Sequence, residues 1–292
     1  CSIASKDVLG KTVAKARRGR VTGLATSIAG GLSLFAGGLL VLVPKDSQSQ
    51  IVIAALIAAG ASCWLLAAYS YSQIAEFAGA TNSGKNGFRE ALTNLHLLHS
   101  DIPFRNFVIA RALFLVSALS APWYIVLARE QGANTLNSSL AGLGLFVVAD
   151  GLASLLSGSF WGKQADLSSR RTMMVAAAAA SLLSLLLVAV VNGSNTIANM
   201  GWLYPAAFFL LGIAHSGVRL GRSTYVVDLA EGNKRTDYVS VSNTVIGALL
   251  LLTGTLGLLE PLIGVSGILV ALSVAGLAGV ALAATLPDVN TR

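Results

Sequence analysis

The stretch GKQADLSSRR, residues 162–171, carries one acid and three basic residues between two apolar runs. We call Gly162, Asp166, Arg170 and Arg171 the polar latch. Glycine permits a tight turn at its start, the carboxylate can accept hydrogen bonds from the N-terminus of a neighbouring helix, and the arginines can bridge to acids or carbonyls. Such a cluster can hold one conformation of a protein and release another. The alternative is that the arginine pair only anchors a cytoplasmic membrane face.

Other polar side chains lie inside apolar runs, where a charge costs about 2.5–3.5 kcal/mol and usually faces a cavity or a partner. Asp150 can carry a coupling proton or bind a cationic substrate, and a structural partnership with an arginine or a hydroxyl is its alternative. His215 and Arg219, four residues apart on one helix face, are candidates for a proton relay. Their alternatives are a backbone hydrogen bond for the histidine and an interfacial position for the arginine. We expect Arg111 and Asn243 to be further cavity residues.

Motifs of other chemistries are weak in this chain. His96 and His99 in HLLHSD have the spacing of a metal pair with Asp101 nearby, but a chain with 3 histidines is too poor for a multi-histidine centre. We interpret HLLHSD as a surface feature of a linker. The metalloprotease, P-loop and nucleophile-elbow motifs do not occur. The sequence therefore predicts no catalytic residue, no metal and no cofactor, and a polytopic membrane enzyme or a non-transporting scaffold is the alternative function.

The composition indicates which elements must position these residues. Of the 292 residues, 54% are hydrophobic and 11% are charged, and the mean hydropathy is +0.72. A soluble domain has roughly 25% charged residues. About 20 apolar residues cross a bilayer as a helix, and we predict eight such spans: 21–43, 51–72, 106–128, 139–160, 172–192, 201–218, 238–260 and 262–286. Despite the net charge of +7, no continuous basic face with interleaved aromatics indicates a nucleic-acid partner.

The basic residues are distributed very unevenly about these spans. Of the 20 Lys and Arg residues, all except Lys45 and Arg129 fall on one side. Cytoplasmic loops collect such residues, so we expect both termini to be cytoplasmic, and the short loops favour a bacterial inner membrane. A polar connection over 73–105 divides the chain into a pair of spans within 1–72 and six spans within 106–292.

The two cysteines and the start of the chain carry less information. Cys63 lies inside a predicted span, so Cys1 and Cys63 provide no disulfide framework. The chain begins at Cys1 with a basic polar stretch that leads into a span, which favours an internal fragment of a longer protein. A lipid-modified N-terminal cysteine is the alternative.

Glycines recur every seven residues in two of the predicted spans. Seven residues are nearly two helical turns, so each set forms a stripe without side chains, where a neighbouring backbone can approach closely. The general abundance of glycine in membrane helices is the alternative explanation. The first stripe consists of Gly23, Gly30 and Gly37, and the second of Gly144, Gly151 and Gly158.

The spacing of the polar latch resembles the loop motif of the major facilitator superfamily, in which an acid follows a glycine by four residues and a basic pair by eight and nine. Leu167 and Ser169 depart from the full motif, as in the weaker copy between helices 8 and 9 of that family. Arg18, Gly19 and Arg20 stand where the family has such a phrase before helix 5. The resemblance implies that the spans are helices 5–12 of twelve.

The resemblance implies an all-α, polytopic membrane fold with eight of the twelve helices of a major facilitator bundle. The two glycine stripes then belong to helices 5 and 8, which pack against each other across the two halves in that family. It also implies a secondary transporter that moves a small solute by alternating access. Because the sequence shows no ATP-binding motif, we expect proton coupling. The expected partners are a small-molecule substrate, H⁺ and the lipid bilayer, and the full-length protein is expected to be a monomer.

Overall fold

The computed structural model describes residues 2–42, 50–75, 93–131, 140–230 and 234–289, which are helical and contain no strand. The longer helices follow one another with short connections. They are α1 (Ser2–Thr12), α2 (Arg18–Leu42), α3 (Gln50–Ser72), α4 (Ile102–Leu113), α5 (Val116–Glu130), α6 (Leu140–Leu167), α7 (Ser169–Gly193), α8 (Leu203–Leu229), α9 (Lys234–Thr253) and α10 (Glu260–Ala284).

Within these ranges, 7 helical segments are long and apolar enough to cross a membrane, which identifies a membrane-embedded protein. The last of them, Lys234–Ala284, has 51 residues and combines the last two predicted spans. It consists of α9, a 3-10 helix over Gly254–Leu259, and α10, in which Gly264 adopts a left-handed backbone conformation with φ of 67°. The count of eight crossings stays a prediction.

Two clusters of buried apolar side chains fill the bundle, one at each end. The first joins the starts of α4, α7 and α9 to the ends of α8 and α10, and the second joins the end of α5 to the start of α8. We call the end that holds the first cluster the latch end, because Trp161 beside the polar latch packs there. Members of the first cluster include Phe104, Met173, Tyr225, Tyr238 and Ala283, and members of the second include Tyr124, Phe146, Leu187, Tyr204 and Leu269. From α4 onward the chain therefore crosses the bundle in alternating directions, with α4 and α5 together forming one crossing.

Polar side chains cap two helices at the latch end. Asp101 accepts a hydrogen bond from the backbone N–H of Phe104 at 2.9 Å and begins α4, and Tyr238 also donates to its carboxylate. Ser168 begins α7 in the same way. The acid of HLLHSD therefore has a structural role. The cap starts α4 at Ile102, four residues before the predicted span at 106. The linker over 73–105 stays a prediction, and its residues 76–92 lie outside the described ranges.

The two N-terminal spans differ in their packing. The contact of α2 with α6 is the most extensive in the bundle, and α2 also touches α8. In contrast, α3 exposes most of its side chains, among them Trp64, and Tyr71 forms a hydrogen bond with Ser5 of α1. The division into a pair and a sextet of spans stays a prediction.

The eighth helix extends well past its predicted end at 218. Arg219 and Arg222 lower the average hydropathy of this stretch, but Leu220, Tyr225 and Val226 between and after them are fully buried. Tertiary packing thus keeps the segment helical as far as Leu229. This extension brings two charged residues, Arg222 and Asp228, into the bundle.

Candidate functional site

The two glycine stripes lie against each other along α2 and α6. A methyl group added to Gly30 would lie 2.7 Å from the carbonyl oxygen of Gly151, and one added to Gly151 would lie 2.5 Å from the backbone nitrogen of Leu34. Facing backbone or side chains enclose the other members equally closely: Gly23, Gly37, Gly144 and Gly158. Two helix backbones are therefore in direct contact, as small residues permit in membrane bundles. We call this contact the glycine seam; that it separates two transporter halves stays a prediction.

Gly162 extends the glycine seam, and the turn predicted there is wrong. The residue lies inside α6, where helical hydrogen bonding continues as far as Ser168, whose N–H bonds to the carbonyl of Gln164. A methyl group on Gly162 would lie 2.5 Å from the carbonyl oxygen of Gly19. Close approach of two helices, and not chain reversal, is the reason that a glycine fits this position.

Asp166 makes the kind of contact that the sequence predicts for it. Its carboxylate accepts hydrogen bonds from the backbone N–H groups of Gly19 at 2.6 Å and Arg20 at 3.0 Å, in the first turn of α2. The side chain is only 4% exposed. Both the free N–H groups and the helix dipole favour a carboxylate at this place. The polar latch thus ties the end of α6 to the start of α2.

The two arginines of the polar latch differ in their contacts with the rest of the protein. Arg170 donates to the carbonyl of Leu286 at 2.6 Å, just beyond α10, and its guanidinium lies 3.8 Å from a carboxylate oxygen of Asp288. Arg171 is exposed, and its guanidinium makes no hydrogen bond or ion pair with the described part of the chain. The predicted bridging role therefore fits Arg170 alone.

A buried ion pair, which the sequence analysis missed, holds the start of α2 at a second point. Arg18 donates to Asp228 at 2.6 Å, and the carboxyl side chain is 0% exposed. Arg18 also donates to the carbonyls of Val13 and Gly10, at 3.1 and 2.8 Å. The signal was an acid in a predominantly basic stretch, which needs a cation as partner when buried.

Three predicted cavity residues meet in one cavity of about 330 Å³ between α5, α6 and α8: Asp150, His215 and Arg219. His215 Nδ1 lies 3.2 Å from Ser117 Oγ, and Arg219 donates to Thr26 of α2 at 3.4 Å. Asp150 lies within range of the positive charge of Arg219. The cavity therefore adjoins both helices of the glycine seam.

Arg111 and Asn243 are not among the lining residues of this cavity, and they bind each other. Their place in a cavity of the whole transporter stays a prediction. Arg111 donates to Asn243 Oδ1 at 2.9 Å and to Ser242 Oγ at 2.5 Å, because α9 packs against α4 at this level. Its Nε is buried without a hydrogen-bond partner. Both acceptors that this guanidinium has among the described residues are neutral.

Arg222 connects these groups, and the sequence analysis did not select it. It follows His215 and Arg219 on one face of α8, at the i, i+4 and i+7 positions. Its charge acts on Arg111, on His215 and on Lys6 of α1. Burial, together with the charges of Arg111 and Arg222, lowers the pKa of Lys6 to about 8. We call Lys6, Arg111, Arg219 and Arg222 the cationic cluster.

The pKa of Lys6 tests this proximity. We expect its labelling by acetic anhydride in the full-length protein, followed by peptide mass spectrometry, to rise with pH about a midpoint near 8. Arg222→Gln should move that midpoint upward, because removal of a positive neighbour makes the protonated amine less unfavourable. Arg17→Gln, at an exposed arginine, is the control and should leave the midpoint in place. An unchanged midpoint in Arg222→Gln would contradict the proximity of the two cations.

No family model, curated protein or solved structure matches the chain. The candidate site has two parts, one that can change conformation and one that can bind a solute. Polar ties at the latch end hold the start of α2, and a cavity with charged walls lies beside the glycine seam. Such an arrangement can bind a charged solute and can change its access when the ties break.

Proposed function

We propose that this chain is the helix 5–12 portion of a secondary transporter of the major facilitator type, which moves a small solute by alternating access. The observation that carries the proposal is the glycine seam with carboxylate ties at the start of α2. A contact between bare backbones allows two helices to pivot without repacking large side chains. The carboxylates Asp166 and Asp228 accept hydrogen bonds from the start of α2 and hold it in place. An opening of the latch end would break these hydrogen bonds.

The position of the cavity supports the same proposal. Thr26 on α2 and Asp150 on α6 lie on the two sides of the glycine seam, and both are near Arg219. A pivot of α2 against α6 therefore changes the surroundings of the cavity directly. Transporters of this kind bind their solute near the bilayer midplane, between groups of helices that rock about it.

In this proposal the carboxyl group of Asp150 carries the coupling proton. Protonation removes its attraction to Arg219 and so changes the charge of the cavity wall. Both termini are cytoplasmic, the membrane is a bacterial inner membrane, and the full-length protein works as a monomer.

We expect Asp150→Asn to abolish proton coupling and to leave solute exchange intact. The full-length protein is reconstituted in proteoliposomes, and pyranine inside them reports proton movement on addition of labelled succinate, inorganic phosphate, choline, alanine or glucose. Asp288→Asn, which removes an acid that does not line the cavity, is the control. Coupled proton movement in Asp150→Asn equal to that of the unsubstituted protein would contradict the role of Asp150. The absence of solute flux in the unsubstituted protein would contradict transport and favour a membrane enzyme or scaffold.

A further inference from the structure

The cationic cluster carries more positive charge than the acids of the described residues around it neutralise. Its members come from three helices: Lys6 from α1, Arg111 from α4, and Arg219 and Arg222 from α8. The charges that act on Lys6, Arg111 and Arg222 belong to other cations of this set. Among the described acids, Asp150 is the one whose interaction with a member of the cluster, Arg219, is evident.

Acids elsewhere at the latch end have other partners. Asp166 bonds to the start of α2, Asp228 to Arg18, and Asp7 to Lys11 and Arg235. Asp101, Asp237 and Asp288 bond to Tyr238, Asn94 and Arg170, respectively. Among the described residues, no further acid is therefore left at the latch end to compensate the cluster, and the remaining two, Glu130 and Glu260, lie close to each other.

Uncompensated cations inside a bundle are costly, because burial removes the water that solvates their charge. The guanidinium of Arg222 is half-buried and makes no hydrogen bond or ion pair within the described ranges. Arg111 also has a buried Nε without a partner. Guanidinium groups match the planar or tetrahedral oxygens of carboxylates and phosphates. An anion from outside the chain would satisfy these donors and balance their charge.

We infer that the transported solute is a small anion with a carboxylate or phosphate group. Arg219, which lines the cavity, and Arg222, three residues farther along the same face of α8, hold it, and Arg111 and Lys6 add positive charge. This inference rests on the proposed function, because it assigns a substrate class to the same cavity. The volume of about 330 Å³ beside Arg219 fits a small solute. The headgroup of an anionic lipid presents the same phosphate chemistry, and the experiment must separate the two sources.

Direct binding of anions tests the inference. The full-length protein in phosphatidylcholine nanodiscs is titrated with labelled succinate and inorganic phosphate, and with choline and glucose as the cationic and neutral probes. We expect an anion to bind, and Arg222→Gln to weaken that binding about 10- to 100-fold, the usual value of a charge-assisted hydrogen bond. Arg17→Gln should retain the affinity. Arg222→Lys keeps the charge but not the shape of the guanidinium and should bind with intermediate affinity. Such graded affinities would follow from the chemistry of the side chain, whereas loss of the fold in Arg222→Gln would not explain them.

Other results separate failure of the inference from failure of the proposed function. Transport of choline or glucose with unchanged affinity in Arg222→Gln would overturn the anionic substrate and leave transport intact. Failure of both anions to bind would also overturn it. Arg222-dependent anion binding without flux in proteoliposomes would support the anion site and overturn transport. Loss of soluble anion binding when phosphatidylglycerol is added to the discs would identify a lipid headgroup as the occupant and overturn a transported solute.

Discussion

Asp228→Asn is expected to destabilise the full-length protein by about 3–5 kcal/mol, the usual cost of removing one partner of a buried ion pair. The substitution leaves the guanidinium of Arg18 buried without its charge partner, because the pair is almost completely enclosed. The free energy of unfolding in detergent or bicelles is the measurement. Asp288→Asn is the matched control. Its pair with Arg170 is wider, at 3.8 Å, and partly exposed, so we expect a change of about 0–1 kcal/mol.

A double-mutant cycle isolates the interaction itself. Arg18→Gln and Asp228→Asn together should cost less than the sum of the two single substitutions, because the second change removes a charge that the first has left unpaired. Additive effects, or equal effects of Asp228→Asn and Asp288→Asn, would mean that the ion pair does not hold the start of α2.

Gly30→Ala is expected to destabilise the protein by about 1–3 kcal/mol through overpacking, whereas Gly31→Ala should be neutral or slightly stabilising. The two glycines are adjacent in α2 but face different surroundings. A methyl group on Gly30 would lie 2.7 Å from the carbonyl oxygen of Gly151 on α6, and one on Gly31 would lie 3.7 Å from the tip of the Leu155 side chain. The backbone of Gly151 cannot move away from an added methyl group as easily as the end of the Leu155 side chain can. Thermal unfolding of the two variants measures the difference.

A second adjacent pair repeats the test farther along the glycine seam. Gly37→Ala would bring a methyl group to 2.9 Å from the backbone nitrogen of Val148, while Gly38→Ala meets nothing within 4 Å. Gly30→Leu should also abolish solute transport at normal membrane expression. Equal stability of the adjacent variants would contradict the close packing, and unchanged uptake by Gly30→Leu would contradict the role of the glycine seam in transport.

The features that could be predicted from the sequence are those that depend only on residues close together along the chain. Span positions follow from local hydropathy, and the seven-residue recurrence of glycine places bare stripes on α2 and α6 because a helix repeats every 3.6 residues. Asp166 was recognisable because an acid at a helix end, beside a glycine-rich face, suits a neighbouring helix N-terminus.

The errors arose where packing overrides local pattern. Hydropathy ended the predicted membrane span at 218, although burial of several later side chains continues the helix to Leu229. Arg222 therefore counted as a loop cation, and Asp228 was not selected. Gly162 looked like a turn residue because glycine serves both turns and close helix contacts, and the identity of the facing helix distinguishes them.

The amino-acid order alone dictates that this is a bundle of membrane helices with two smooth faces, since hydropathy and helical periodicity are local properties. The pairing of charges depends on distances between helices, as between Arg18 and Asp228, which are 210 residues apart in the chain. Folding in three dimensions thus determines which acids are already engaged and which cations stay uncompensated. The strength of an electrostatic interaction depends on separation and burial, and neither can be read from residue order.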